Sequence, residues 1–183
     1  MDFDMELVNL KVGGIVRNSV ESTTALSKLL SFCRESCPSF PNVFNKIDII
    51  SEVKTISDQL SAVFAQEPIP PKVTVLYFGL FEALNENDSK SYAGYYVSGV
   101  DIYNSDDLDT LCDPIYFPER RYLRSSILDQ VIDVAMKEEE VGNFIFYSLM
   151  LGIGTILSRY ALEFLNKKYK LVVGFDDGDI IEI

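Results

Sequence analysis

The most acidic tract of the chain runs Asp101-Ile102-Tyr103-Asn104-Ser105-Asp106-Asp107-Leu108-Asp109, with Asp113 and Tyr116 close behind. Tyr92, Tyr95 and Tyr96 precede it, and Phe117 follows. Carboxylates steer an approaching cationic surface and pair with Arg and Lys, while tyrosines supply contact area with few rotatable bonds. Acid and tyrosine together on a loop suit a surface that enters a basic cleft. The competing reading is a solvated loop beside a tyrosine-rich core strand.

Other groups invite chemistry less strongly. The chain has no histidine, which removes the Ser–His–Asp triad, the Cys–His dyad and every His-bearing zinc site. Cys33, Cys37 and Cys112 are too few for a disulfide framework or a thiolate zinc site and read as reduced thiols. No cofactor or metal is expected. Asp176-Asp177-Gly178-Asp179 lacks the spaced ligands and distal Glu of a calcium loop, and reads as a turn. Gly13-Gly14 and Gly152-x-Gly154 lack the Lys-Ser or Lys-Thr of a phosphate loop, and the latter pair suits close helix packing. Arg120, Arg121 and Arg124 could hold an anion, but pairing with acids such as Asp113 and Glu119 is expected first. Glu138-Glu139-Glu140 lies where a helix dipole disfavours acid, and Lys167-Lys168-x-Lys170 where it favours base.

With 28 acidic against 16 basic residues, the formal charge is −12 and the sequence pI about 4.4. Nucleic acid and anionic membranes are repelled by such a field, and a basic protein is the natural partner. Acidity for solubility alone is the plainer alternative. Mean hydropathy of +0.11 argues against disorder. Met1 to Glu6 is acidic where a secretory leader would be basic and then apolar, so the cytoplasm is the expected compartment.

The elements that must position these groups follow from periodicity. Asp4 to Val16 reads as a short strand turned at Gly13-Gly14, and Ser19 to Arg34 as a helix on Leu26, Leu29, Leu30 and Cys33. Asn45 to Glu67 is the clearest helix: Ile47, Ile50, Val53, Ile56, Leu60, Val63 and Phe64 recur at spacings of three and four, while Glu52, Lys54 and Asp58 face elsewhere. Lys72 to Leu84 begins as a strand and turns helical after Gly79. Tyr92 to Tyr103 forms a second strand after the turn at Asn85–Asp88. Ser125 to Glu140 is an amphipathic helix, capped by Ser125 or Ser126. Val141 to Ser158 carries no charge and approaches the length needed to cross about 30 Å of hydrocarbon. Its polar residues and the apolar pattern continuing to Leu165 favour a helix in a globular core. Leu171–Phe175 and Ile180–Ile183, around Asp177-Gly178, form a hairpin. The expected fold is a single α+β domain over residues 1–183, dominated by helices, with a small, mostly antiparallel sheet and a C-terminal hairpin.

In profile, a small acidic chain without histidine and with the acid–tyrosine tract from Tyr92 to Tyr116 resembles the immunity proteins of bacterial contact-dependent inhibition and polymorphic toxin systems. The resemblance implies a non-enzymatic inhibitor in a one-to-one complex with a cognate, basic toxin domain, typically a nuclease. The residues expected to meet it are Asp101, Tyr103, Asp106, Asp107, Asp109, Asp113 and Tyr116. Two other readings stand beside it: an adaptor or regulatory subunit of a basic protein, and a carboxylate enzyme using a divalent metal.

Overall fold

Side-chain caps set where three of the five described α-helices begin. The computed structural model describes residues 3–84, 91–165, 168–175 and 179–183. Helix α1 (Met5–Arg17) starts at Asp4, whose carboxylate accepts the Leu7 N–H at 3.1 Å. It is followed by α2 (Ser22–Ser36) and by α3 (Ile49–Gln66), where Asp48 accepts from both the N–H and the hydroxyl of Ser51. Strands β1 (Val75–Leu84), β2 (Ser91–Val100) and β3 (Tyr122–Arg124) come next. Ser125 then caps α4 (Ser126–Ala135), and α5 (Gly142–Ala161), β4 (Lys170–Phe175) and β5 (Ile180–Glu182) complete the order. The sheet runs β3-β2-β1-β4-β5; β1 and β4 are parallel, and the other three pairs are antiparallel. This is an α+β fold with a mostly antiparallel sheet, and β4 and β5 form the antiparallel C-terminal pair.

Helix α5 is long and apolar enough to span a bilayer, yet it lies inside the protein, against α1 to α4 and the sheet. Two of its hydroxyls are absorbed locally: Thr155 and Ser158 donate back to the carbonyls of Leu151 and Gly154. Gly152 and Gly154 let Leu29 of α2 and Leu80 of β1 approach so closely that a Cβ would fall 2.6 and 2.7 Å from their methyls. Both α2 and the sheet therefore press a leucine side chain almost onto the α5 backbone.

Three expectations change. Asp4 to Val16 is helix, not strand: Val8, Val12 and Val16 repeat every four residues and are all buried. Strand β1 also continues past Gly79 to Leu84 instead of turning helical. Gly79 pairs with Tyr96, and the Tyr96 ring fills the space where a Cβ would lie at 2.3 Å. Finally, Glu52 does not face solvent. It is buried, and its carboxylate accepts the Ser126 hydroxyl at 3.0 Å and the Ile127 N–H at 3.5 Å, at the positive end of α4. The turn at Asn85–Asp88, residues 176–178 of the acidic turn, and Lys167 lie outside the described residues.

Sheet edges offer strand-pairing groups to any passing chain unless something covers them. Here side chains, and at one point a neighbouring main chain, do so. Asp129 accepts the Ala93 N–H at 2.8 Å, and Tyr116 exchanges two main-chain hydrogen bonds with Gly99. The Gln59 amide engages both main-chain groups of Arg124, and Arg17 donates to the Glu182 carbonyl on β5. Recognition by strand addition is blocked at these positions, which leaves side chains to meet a partner.

Candidate partner-binding surface

Alternation along β1 and β2 sends Tyr77, Gly79 and Phe81, with Tyr92, Tyr96 and Val100, to the sheet face away from the main core. Residues 101–121 fold over one half of that face. Leu111 plugs into Val75, Tyr77, Val100 and Val172, with Tyr96, Tyr103 and Ile180 packed around them. The segment braces itself. Asp106 N–H donates to the Asn104 side chain, Asp107 N–H to the Asn104 carbonyl, and the Thr110 hydroxyl accepts from Asn104 N–H while donating to the Asp107 carbonyl. Its far end is fastened to α3 through Glu67, whose carboxylate accepts the Glu119 N–H and whose carbonyl accepts the Tyr116 hydroxyl.

Five of the seven residues marked by the sequence stand out to solvent on this braced segment: Asp101, Asp106, Asp107, Asp109 and Asp113. The two tyrosines do not join them as open contact area. Tyr116 is buried, and burial first, then the nearby Glu67 and Tyr169, pushes its hydroxyl pKa up to about 12. Tyr103 is half-buried and donates to the Glu182 carboxylate at 2.6 Å, beneath the Lys170 ammonium, which lies 4.5 Å from its ring centre. Burial and that carboxylate raise the Tyr103 pKa. Glu182 also pairs with Lys170 at 2.6 Å. Burial pushes the Glu182 carboxyl up, but the bonds from Lys170 and Tyr103 and the charges of Lys170 and Arg17 outweigh it, and it ends below its ordinary value. Tyr103 and Tyr116 are thus pins that hold the acidic segment to β5 and α3.

The other half of the face is open and aromatic. Phe81, Tyr92, Tyr96 and Tyr122 line a cavity of about 560 Å³ and meet edge to face, with Phe117 against Tyr96. Two arginines are threaded through it. Arg121 lies 3.8 Å above the Phe117 ring centre and donates to the Pro118 carbonyl; Arg124 lies 4.2 Å above Tyr92. Arg124 pairs at 3.2 Å with Asp129, not with Asp113 or Glu119. Acids and rings are therefore segregated, and a cation entering among the rings would meet Arg121 and Arg124. Tyr95, on the opposite side of β2, is fully buried, with its pKa raised well above ordinary by burial and by the Glu52 charge.

Apolar side chains take the tyrosines' place beside the carboxylates. Phe117, already marked as a flanking ring, is 50% exposed. Ile102 and Ile115, whose apolar role the sequence did not mark, are 71% and 44% exposed on the same segment. Their position after strand-ending residues is visible in the sequence; their exposure is not. Among the described residues, no three Cys, Asp or Glu side chains gather closely enough to hold a metal ion. No protein-family model, curated protein or solved structure matches this chain.

Proposed function

We propose that this chain is a non-enzymatic inhibitor of the immunity type, which binds a basic partner domain through the outer surface of residues 101–117. The observation that carries the reading is the pairing of Asp101, Asp106, Asp107, Asp109 and Asp113 with exposed Ile102 and Ile115 on one internally braced segment. A segment held by its own hydrogen bonds loses little entropy on docking, and apolar groups among carboxylates combine steering with a dry centre. An interface of standard size, about 1,600 Å² in total, exceeds the segment alone and takes in neighbouring rings such as Phe117 and Tyr122. A cytoplasmic site of action, before a nuclease reaches its substrate, fits this role.

The test is co-purification of the tagged chain with the product of the neighbouring gene, washed at rising salt. A stoichiometric basic partner that kills cells when expressed alone supports inhibition, while a harmless basic partner supports an adaptor. A chain that purifies alone at low salt sinks the reading for that gene pair. Reversing Asp106, Asp107 and Asp109 to Lys should slow association by about 10–100-fold at low salt and flatten its salt dependence. Unchanged kinetics would move the interface elsewhere.

A further inference from the structure

The loop between α1 and α2 closes over the ends of α5 and β4 and leaves a cavity of about 680 Å³, within the range of small-molecule sites. Its apolar lining comes from Leu162, Leu171 and Tyr169, and its cations are Arg17, Arg159 and Lys168. In a chain with 28 acids and 16 bases, three cations around one cavity would each be expected to find a carboxylate. Among the described residues, none of the three has one within salt-bridge range.

What holds the two arginines is main chain. Arg159 donates to the Val16 carbonyl, and Arg17 to the Glu182 carbonyl at 2.7 Å. Each bond uses a fraction of a guanidinium's five donors and fixes its direction. The Tyr160 hydroxyl donates to the Ser19 carbonyl at 2.9 Å, tying the loop to the same helix end. Opposing charge comes from exposed Glu163 and from Glu182, which feels the Arg17 charge while bonded to Lys170 and Tyr103. The cations still outnumber them. The Ile183 carbonyl is taken by the Leu171 N–H.

We infer that this cavity is a binding site for a small amphipathic anion, a carboxylate or phosphate head on a short apolar body. The head meets cations already aimed by the main chain, and the body lies on the leucine and tyrosine lining. A neutral molecule forgoes the first contact, and a cationic one is repelled. The site shares no residue with the acidic segment, so it stands or falls independently of the inhibitor reading.

Calorimetric titration with octanoate, octyl phosphate, octanol and octylamine tests this, with amide chemical shifts to locate binding. Saturable binding of either anion is expected, with shifts at Val20, Tyr169 and Leu171, and octylamine at least about tenfold weaker. Lys168→Glu, at an exposed position, should weaken octanoate by about tenfold, and Val20→Asp on the exposed rim should weaken it as well. Equal affinity for octylamine, shifts clustered elsewhere, or full affinity in both variants would overturn the assignment. So would pelleting with phosphatidylglycerol vesicles without a saturable isotherm for the free anions.

Discussion

Gln59 and Arg124 lie 65 positions apart and bond like neighbouring strands: the Gln59 Nε2 donates to the Arg124 carbonyl at 3.0 Å, and its Oε1 accepts the Arg124 N–H at 3.0 Å. A side-chain amide thereby stands in for a missing strand at the outer edge of β3 and ties α3 to the sheet. Each net hydrogen bond contributes about 0.5–1.5 kcal/mol, so Gln59→Leu should cost about 1–2 kcal/mol in urea denaturation. It should also raise the tendency to self-associate, measured by light scattering, because the edge is bared. Wild-type stability in the variant would show that the amide merely decorates the edge.

Glu52 makes the companion contact from α3, to the first turn of α4. Glu52→Ala should destabilise by about 1–3 kcal/mol, because it strands the buried Ile127 N–H at a helix start. Glu52→Gln keeps an acceptor there and loses only the charge–dipole part, about 0.3–1 kcal/mol. Thermal or urea unfolding of the pair should place Ala clearly below Gln; the reverse order would contradict the capping role.

The bond between Tyr103 and Glu182 should be visible at both ends of the pH scale. Glu182 titrates below its ordinary value of 4.5 when folded, so its contribution is present above pH 4.5 and lost as pH falls through the lower folded value. Tyr103 is raised above its ordinary value of 10.0, so its contribution is complete below pH 10 and lost as pH rises through the folded value. Both slopes should shrink in Glu182→Gln, read as urea midpoint against pH. With no tryptophan in the chain, tyrosinate absorbance is unobscured. Tyr95, Tyr103, Tyr116 and Tyr160 should ionise later than the ordinary phenols. A single ordinary titration of all ten tyrosines would refute this packing.

Two glycines should respond oppositely to alanine. At Gly14, inside α1, a Cβ meets nothing within 4 Å, so Gly14→Ala should stabilise by about 0.5–1 kcal/mol through helix propensity. At the start of α5, a Cβ on Gly142 would lie 2.3 Å from the Ala135 carbonyl oxygen. Main chain cannot step aside as a side chain can, and Gly142→Ala should cost about 1–3 kcal/mol. Equal melting temperatures would mean that the α4–α5 junction is looser than the geometry describes.

Helices α2, α3, α4 and α5 are legible in the sequence alone, because apolar spacing of three and four, and a long uncharged run, are local records of which face is buried. Alternation, the strand's own local record, marked β2 and the first half of β1, and the run of aspartates marked the acidic segment between β2 and β3. Local cues failed at glycines. Gly13-Gly14 reads as a turn although the valines around it keep helical spacing, and Gly79 reads as a break because the Tyr96 ring that fills its place comes from another strand. The roles of Glu52, Gln59, Tyr103 and Tyr116 are decided only in three dimensions. Each partner lies on a distant element, and no periodicity encodes whether a polar side chain turns to water or to a main-chain group that burial would otherwise leave unpaired.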